Sequence, residues 1–120
     1  MRVTDVQAKI LFTLGYWYEE ANRRIKVKGL EVVISKKSFI DALMSAGVAG
    51  KKERALYKNL EALEKGRLIN YDNRKLKLSP KGENVYDRVK ESIMQYVRVI
   101  GKLKTKDPKS YTKKLQTVFK

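Results

Sequence analysis

Apolar side chains in the first part of the chain recur at intervals of three and four: Val6, Ile10, Leu14, Trp17 and Ala21. That spacing lines one side of a helix. Thr4 opens the stretch TDVQ, where the Thr hydroxyl and the Gln7 side chain satisfy each other's orphan amides, so a first helix is predicted over about 5–23. The period then breaks at RRIKVKGLEVVI, which predicts a loop and a short strand at Val32, Val33 and Ile34. Ser35 is placed to cap a second helix, SKKSFIDALMSAG, with Phe39, Ile40, Leu43 and Met44 as its buried stripe. Gly47 falls where a left-handed C-terminal cap belongs. A third helix is predicted over about 51–65, with Leu56, Leu60 and Leu63 on one face.

Gly66 ends that helix, and RLINYDNRKLKLSP predicts two strands about an Asp-Asn turn. Leu76 and Leu78 alternate with Lys75 and Lys77, which makes one face apolar and the other positive, with Arg74 and Lys75 at the tip. Ser79 and Pro80 then cap and open a fourth helix. Along it Tyr86, Val89, Ile93, Tyr96, Ile100 and Leu103 are spaced 3-4-3-4-3, a coiled-coil-like seam suited to pairing two copies. Val85, Val97 and Val99 widen the apolar surface. Folding of the same seam back over its own domain is the alternative. The tail TKDPKSYTKKLQTVFK reads either as a short helix with Tyr111, Leu115 and Phe119 inward or as a flexible basic arm.

Charge changes this picture more than any other property of composition. Across 120 residues there are 28 Lys and Arg against 13 Asp and Glu, a formal net charge of +15. Residues 35–82 hold twelve basic and five acidic side chains, and residues 101–120 hold seven and one. A thermophile-style charged surface raises glutamate along with lysine, and here glutamate lags, so the excess predicts a polyanionic partner. On the third helix the cations lie opposite the leucines: Lys51, Arg54, Lys58 and Lys65, with Glu61 as the one acid among them. The aromatic run Tyr16, Trp17 and Tyr18 does not form a stacking platform, because successive helical residues point about 100° apart. It is expected to serve the core and helix contacts.

Other classes fall away on composition. There is no histidine and no cysteine, which removes the common zinc ligand sets, thiolate chemistry and the usual imidazole base. The acidic residues form no spaced cluster, so no enzyme, metal or cofactor is expected. Apolar runs are short and the N-terminus lacks a signal-like core, so a cytoplasmic, nucleoid-associated location is expected. The stretch SAGVAGKKERALYKNL invites comparison with a nucleotide-binding phosphate loop, G-x-x-x-x-G-K-[ST]. Position 45 is Ser rather than Gly, position 52 is Lys rather than a hydroxyl, and the segment before it reads as helix. What remains is helix, short turn, helix.

The segment LYKNLEALEKGRLINYDNRKLKLSPKG carries a resemblance. It is similar to the pattern L-x-x-L-E-x-x-G-L-I, hairpin, L-[ST]-x-K-G of dimeric winged helix-turn-helix repressors of the MarR and PadR type and their archaeal relatives. The match covers residues 35–82, at Leu60-Glu61, Leu63 to Gly66, Leu68-Ile69 and Leu78 to Gly82. The segment between the first two helices is longer and more basic than in that pattern. The resemblance implies an α+β, mainly α chain: a winged helix-turn-helix domain over 1–104, a dimerisation helix at about 80–104, and a basic tail over 105–120. It implies that the third helix enters the major groove of double-stranded DNA while the wing meets a neighbouring backbone or minor groove.

On that reading Arg54 and Lys58 are candidates for base edges, since Arg and Lys suit the guanine acceptors. Lys51 and Lys52 would meet phosphates, as would Lys36 and Lys37 beside helix-end amides. Asn73, Arg74 and Lys75 would form the wing contact. Tyr57 lies on the flank, open to core or phosphate contact. Tyr86, Val89, Ile93, Tyr96, Ile100 and Leu103 would pair two copies into a homodimer. The expected function is DNA binding, as a transcription regulator or a chromatin-like architectural protein. Structured RNA is the alternative partner, and a protein–protein module in replication or transcription machinery the third reading. An effector pocket between the first and fourth helices, lined by Trp17, Tyr18 or Tyr96, is not distinguished from packing.

Overall fold

The computed structural model describes residues 2–25, 32–47 and 52–111. Its elements run α1 (Asp5–Arg24), α2 (Lys36–Ser45), α3 (Glu53–Lys65), β1 (Ile69–Asp72), β2 (Lys75–Leu78) and α4 (Pro80–Thr105), then a 3₁₀ turn at Pro108–Tyr111. The described residues are mainly helical, with one small antiparallel sheet of two strands. Two compact units divide it, Met1–Val89 and Lys90–Lys120, so the division falls inside α4. Among the described residues no helix is long and apolar enough to cross a membrane.

Local chemistry sets the helix ends. At the start of α1 the predicted capping box is present: Gln7 N donates to the Thr4 hydroxyl at 3.2 Å, and Thr4 N donates to Gln7 Oε1 at 3.1 Å. Ser35 caps α2 by accepting from Ser38 N at 3.0 Å. Gly47 follows α2 with φ of 65°, the left-handed geometry expected of it. The third helix ends at Gly66 as predicted, by a Schellman ending in which Gly66 is not the left-handed residue. Gly66 has an ordinary φ of −75°, and the left-handed residue is Arg67, at φ 62°. Arg67 N donates to the Glu64 carbonyl at 3.0 Å and Leu68 N to the Leu63 carbonyl at 3.0 Å, the paired bonds of a Schellman ending.

One apolar cluster holds the first unit. Ile10, Leu11 and Leu14 of α1 meet Phe39, Ile40 and Leu43 of α2, Leu56, Leu60 and Leu63 of α3, and Leu68, Ile69 and Leu76 of the hairpin. The three leucines of α3 have no exposed surface at all. Two expectations are corrected here. Leu11, absent from the predicted stripe of α1, is fully buried, whereas Met44 of α2 is exposed. Leu11 shows that the buried face of α1 is wider than a single 3–4 row, and Met44 that the buried face of α2 is narrower than its run of apolar residues. The predicted strand at residues 32–34 reduces to one bridge: Leu76 N donates to the Ile34 carbonyl at 2.9 Å.

The first turn of α4 explains the LSPKG stretch. Ser79 Oγ donates to the Arg67 carbonyl at 2.6 Å and accepts from Gly82 N at 2.9 Å, so one hydroxyl ties the end of α3 to the start of α4. A Cβ on Gly82 would lie 1.8 Å from the Leu68 carbonyl oxygen, so only glycine allows this approach. One turn further, Tyr86 packs its ring on Gly15 of α1 and stacks with Phe12 at 5.8 Å between centroids. This corrects the placement of Tyr86 in a dimer seam: at 4% exposure it is covered by its own domain.

Candidate nucleic-acid interface

The outward side of α3 follows from the inward one. With Leu56, Leu60 and Leu63 sealed in the core, the helical period turns Arg54 and Lys58 to the opposite side, and both are exposed. Neither makes an ion pair or hydrogen bond to another described residue. Lys52 precedes the helix as its cap residue, exposed and without a side-chain capping bond. Lys51 lies outside the described residues. Glu61 and Lys65 continue the exposed stripe towards the C-terminus of the helix. The cationic surface is therefore concentrated in the first two turns.

The hairpin pairs Ile69 with Leu78, Asn70 with Lys77, Tyr71 with Leu76 and Asp72 with Lys75. Alternation puts Ile69, Tyr71, Leu76 and Leu78 on the core side and Asn70, Asp72, Lys75 and Lys77 on the other. Asn73 and Arg74 form the two-residue turn with φ of 50° and 62°, the double left-handed geometry of a type I′ hairpin. This moves the turn one residue on from the predicted Asp-Asn position. Arg74 stands at the tip, and Lys75 is the first residue of β2, opposite Asp72, rather than a tip residue. Partway along β2 Tyr18 of α1 donates its hydroxyl to the Leu76 carbonyl, while Ile34 N donates to that hydroxyl at 3.4 Å.

The two lysines at the start of α2 differ from the free phosphate contacts expected of them. Lys36 is only 19% exposed in its side chain; its ammonium lies 3.5 Å from Glu64 Oε1 and 4.0 Å above the Tyr71 ring. Lys37 is exposed and bonds Asp41 at 3.2 Å, and that bond, with the Asp41 charge, raises its pKa. Tyr57 is half-buried against the core. Sequence reasoning missed the Lys36 arrangement because its two partners, Glu64 and Tyr71, come from two other elements far along the chain.

Apolar surface appears elsewhere. In the second unit Tyr96 is 71% exposed, and Val97, Val99, Ile100 and Leu103 are exposed as well. Val89 and Ile93 are half-buried. Phe12, Tyr16, Trp17 and Ala21 of α1, with Ile25 just beyond it, line an open depression. Tyr18 turns away from it to the hairpin, so the aromatic trio serves more than one surface. Among the described residues no group of acidic side chains gathers to hold a metal ion. Comparisons with protein-family models, with curated proteins and with solved structures each return no match for this chain.

Proposed function

We propose that the first unit is a winged helix-turn-helix domain that binds double-stranded DNA in the cytoplasm, on the nucleoid, as a transcription regulator or an architectural protein. In this reading α3 enters the major groove, with Arg54 and Lys58 towards base edges and Lys51 and Lys52 on phosphates. The hairpin is the wing, carrying Asn73, Arg74 and Lys75 to the adjacent backbone. Lys37, exposed but paired with Asp41, would add only part of its charge to the field of that surface. The exposed run of α4 through Tyr96, Ile100 and Leu103 pairs two copies.

The observation that carries this reading is the outward placement of Arg54 and Lys58, unpaired among the described residues, behind three fully buried leucines. A helix used only for packing has no need of a cationic front inside a chain of net charge +15. Polyanion binding through such a front releases counterions, so affinity falls steeply with salt. Titration of a random duplex, a palindromic pool and a structured RNA between 50 and 200 mM salt tests it. The expected loss on duplex is on the order of 10³–10⁵-fold, and Lys52→Ala lowers the slope by about 1 per copy bound. Arg54→Ala then divides the two roles: a regulator loses sequence preference, an architectural protein weakens evenly on all DNA. A duplex titration with little salt dependence overturns the reading, and a clear preference for RNA replaces the partner.

A further inference from the structure

We propose that Lys36 is a positioning residue for the hairpin tip, acting through Tyr71 and Glu64, and does not itself contact the nucleic acid. The inference rests on the reading of α3 and the hairpin as a DNA-binding surface. Lys36 is the first residue of α2, set directly after the Ser35 cap. From there one ammonium reaches Glu64 near the end of α3 and the ring of Tyr71 on β1. A single side chain thus joins α2, α3 and the hairpin.

The hairpin needs such a hold. An isolated pair of strands is marginal in water, and this one has only four residues in each strand. At the second pair from its turn it is held by the Ile34 bridge and by the Tyr18 hydroxyl, both acting at Leu76. Leu76 pairs with Tyr71, so Lys36 grips the opposite strand at the same level. Beyond that level Asp72, Asn73 and Arg74 are all exposed. The direction in which Arg74 is carried is therefore set at Tyr71.

The charge balance around Lys36 argues against a phosphate there. Lys36, Glu61, Glu64 and Lys65 line one open depression, in which two carboxylates offset two ammonium groups. A phosphate approaching Lys36 meets the Glu64 carboxylate at the same place. An ammonium lying on an aromatic face and held by a carboxylate is fixed in position, which suits it to orient a neighbour.

Duplex affinity measured for Lys36→Met, Arg74→Ala and the double variant, with salt slopes, tests the assignment. Lys36→Met keeps the aliphatic stem, and matched thermal melts verify folding. The expected result is a loss of about two- to five-fold for Lys36→Met alone, and no further loss when Arg74 is already Ala. Glu64→Gln should weaken binding in the same way, because it loosens Lys36. A direct phosphate contact gives the opposite sign: Glu64→Gln strengthens binding, and Lys36→Met lowers the slope by about 1 in either background. That outcome, or no effect of Lys36→Met, overturns the inference while the DNA-binding reading stands. A wild-type chain without salt-dependent duplex binding overturns both. Independently of DNA, the Lys36 methylene protons should show an upfield ring-current shift that Tyr71→Leu abolishes; its absence in the wild type also overturns the assignment.

Discussion

Leu56, Leu60 and Leu63 of α3 and Tyr96, Ile100 and Leu103 of α4 repeat at the same three-and-four spacing, and the chain uses them oppositely. The α3 leucines are wholly buried, so what α3 offers outward is its polar side. The α4 side chains are 71%, 51% and 48% exposed, so what α4 offers there is its apolar side. Equal periodicity thus gives two surfaces of different chemistry, one suited to a polyanion and one to another apolar face. An amphipathic stripe says which side of a helix differs from the other, and not which side faces water.

Substitution in matched positions should separate the two most sharply. Leu60→Ala is expected to cost about 3 kcal/mol in urea unfolding, since it opens a cavity in a sealed core. Leu103→Ala should change chain stability by less than about 0.5 kcal/mol and instead weaken self-association, read by sedimentation. Two glycines of α4 sharpen the contrast. Gly82→Ala places a methyl group against the Leu68 carbonyl and should cost about 3 kcal/mol. A Cβ at Gly101 meets nothing within 4 Å, so Gly101→Ala should raise helix stability by about 0.5–1 kcal/mol in a far-UV melt. Equal effects at the two glycines would show that α4 is packed alike at both ends.

Much of the first unit is legible in sequence because its signals are local. The Thr4–Gln7 box, the Ser35 cap, the Gly47 turn and the leucines of α3 each depend on neighbours within four residues. What escaped depends on contacts between distant segments. Nothing near Tyr86 announces that Gly15, some seventy positions away, leaves room for its ring; the seam spacing pointed to a partner copy instead. Lys36 looked like a free cation because Glu64 and Tyr71 are invisible from its own helix. The turn is displaced by one because Asp-Asn is the better turn pair by residue type, whereas the Tyr71–Leu76 register places Asn73 and Arg74 there, with Arg74 in left-handed backbone.

Burial of Tyr86 has a consequence in alkaline solution. Burial first, and the nearby Glu19 carboxylate second, raise its phenol above the ordinary value of 10.0. The unfolded chain releases this proton near pH 10 while the folded chain keeps it. The stabilisation is therefore complete below pH 10 and is lost as pH rises beyond it, with a slope of about 1.4 kcal/mol per pH unit. Lysines titrate in the same range, so the measurement is the difference between wild type and Tyr86→Phe in urea unfolding from pH 9 to 11. Parallel curves for the two would show that the phenol is not protected by the α1–α4 contact.

The smallest expected effect concerns two arginines in left-handed backbone, Arg67 and Arg74. A side chain at positive φ is strained relative to glycine, and both positions, the residue after a Schellman ending and the second residue of a type I′ turn, favour glycine. Arg67→Gly should stabilise the chain by about 0.5–1 kcal/mol, a rise of about 4 °C in melting temperature, and leave duplex binding as it was. Arg74→Gly should stabilise by a similar amount while lowering the salt slope of duplex binding by about 1 per copy, because the tip cation is gone. The two variants share a backbone effect and differ in what the side chain reaches. If Arg74→Gly gained stability and kept its full salt slope, the arginine at the hairpin tip would be a turn residue only, and the binding surface would reduce to α3.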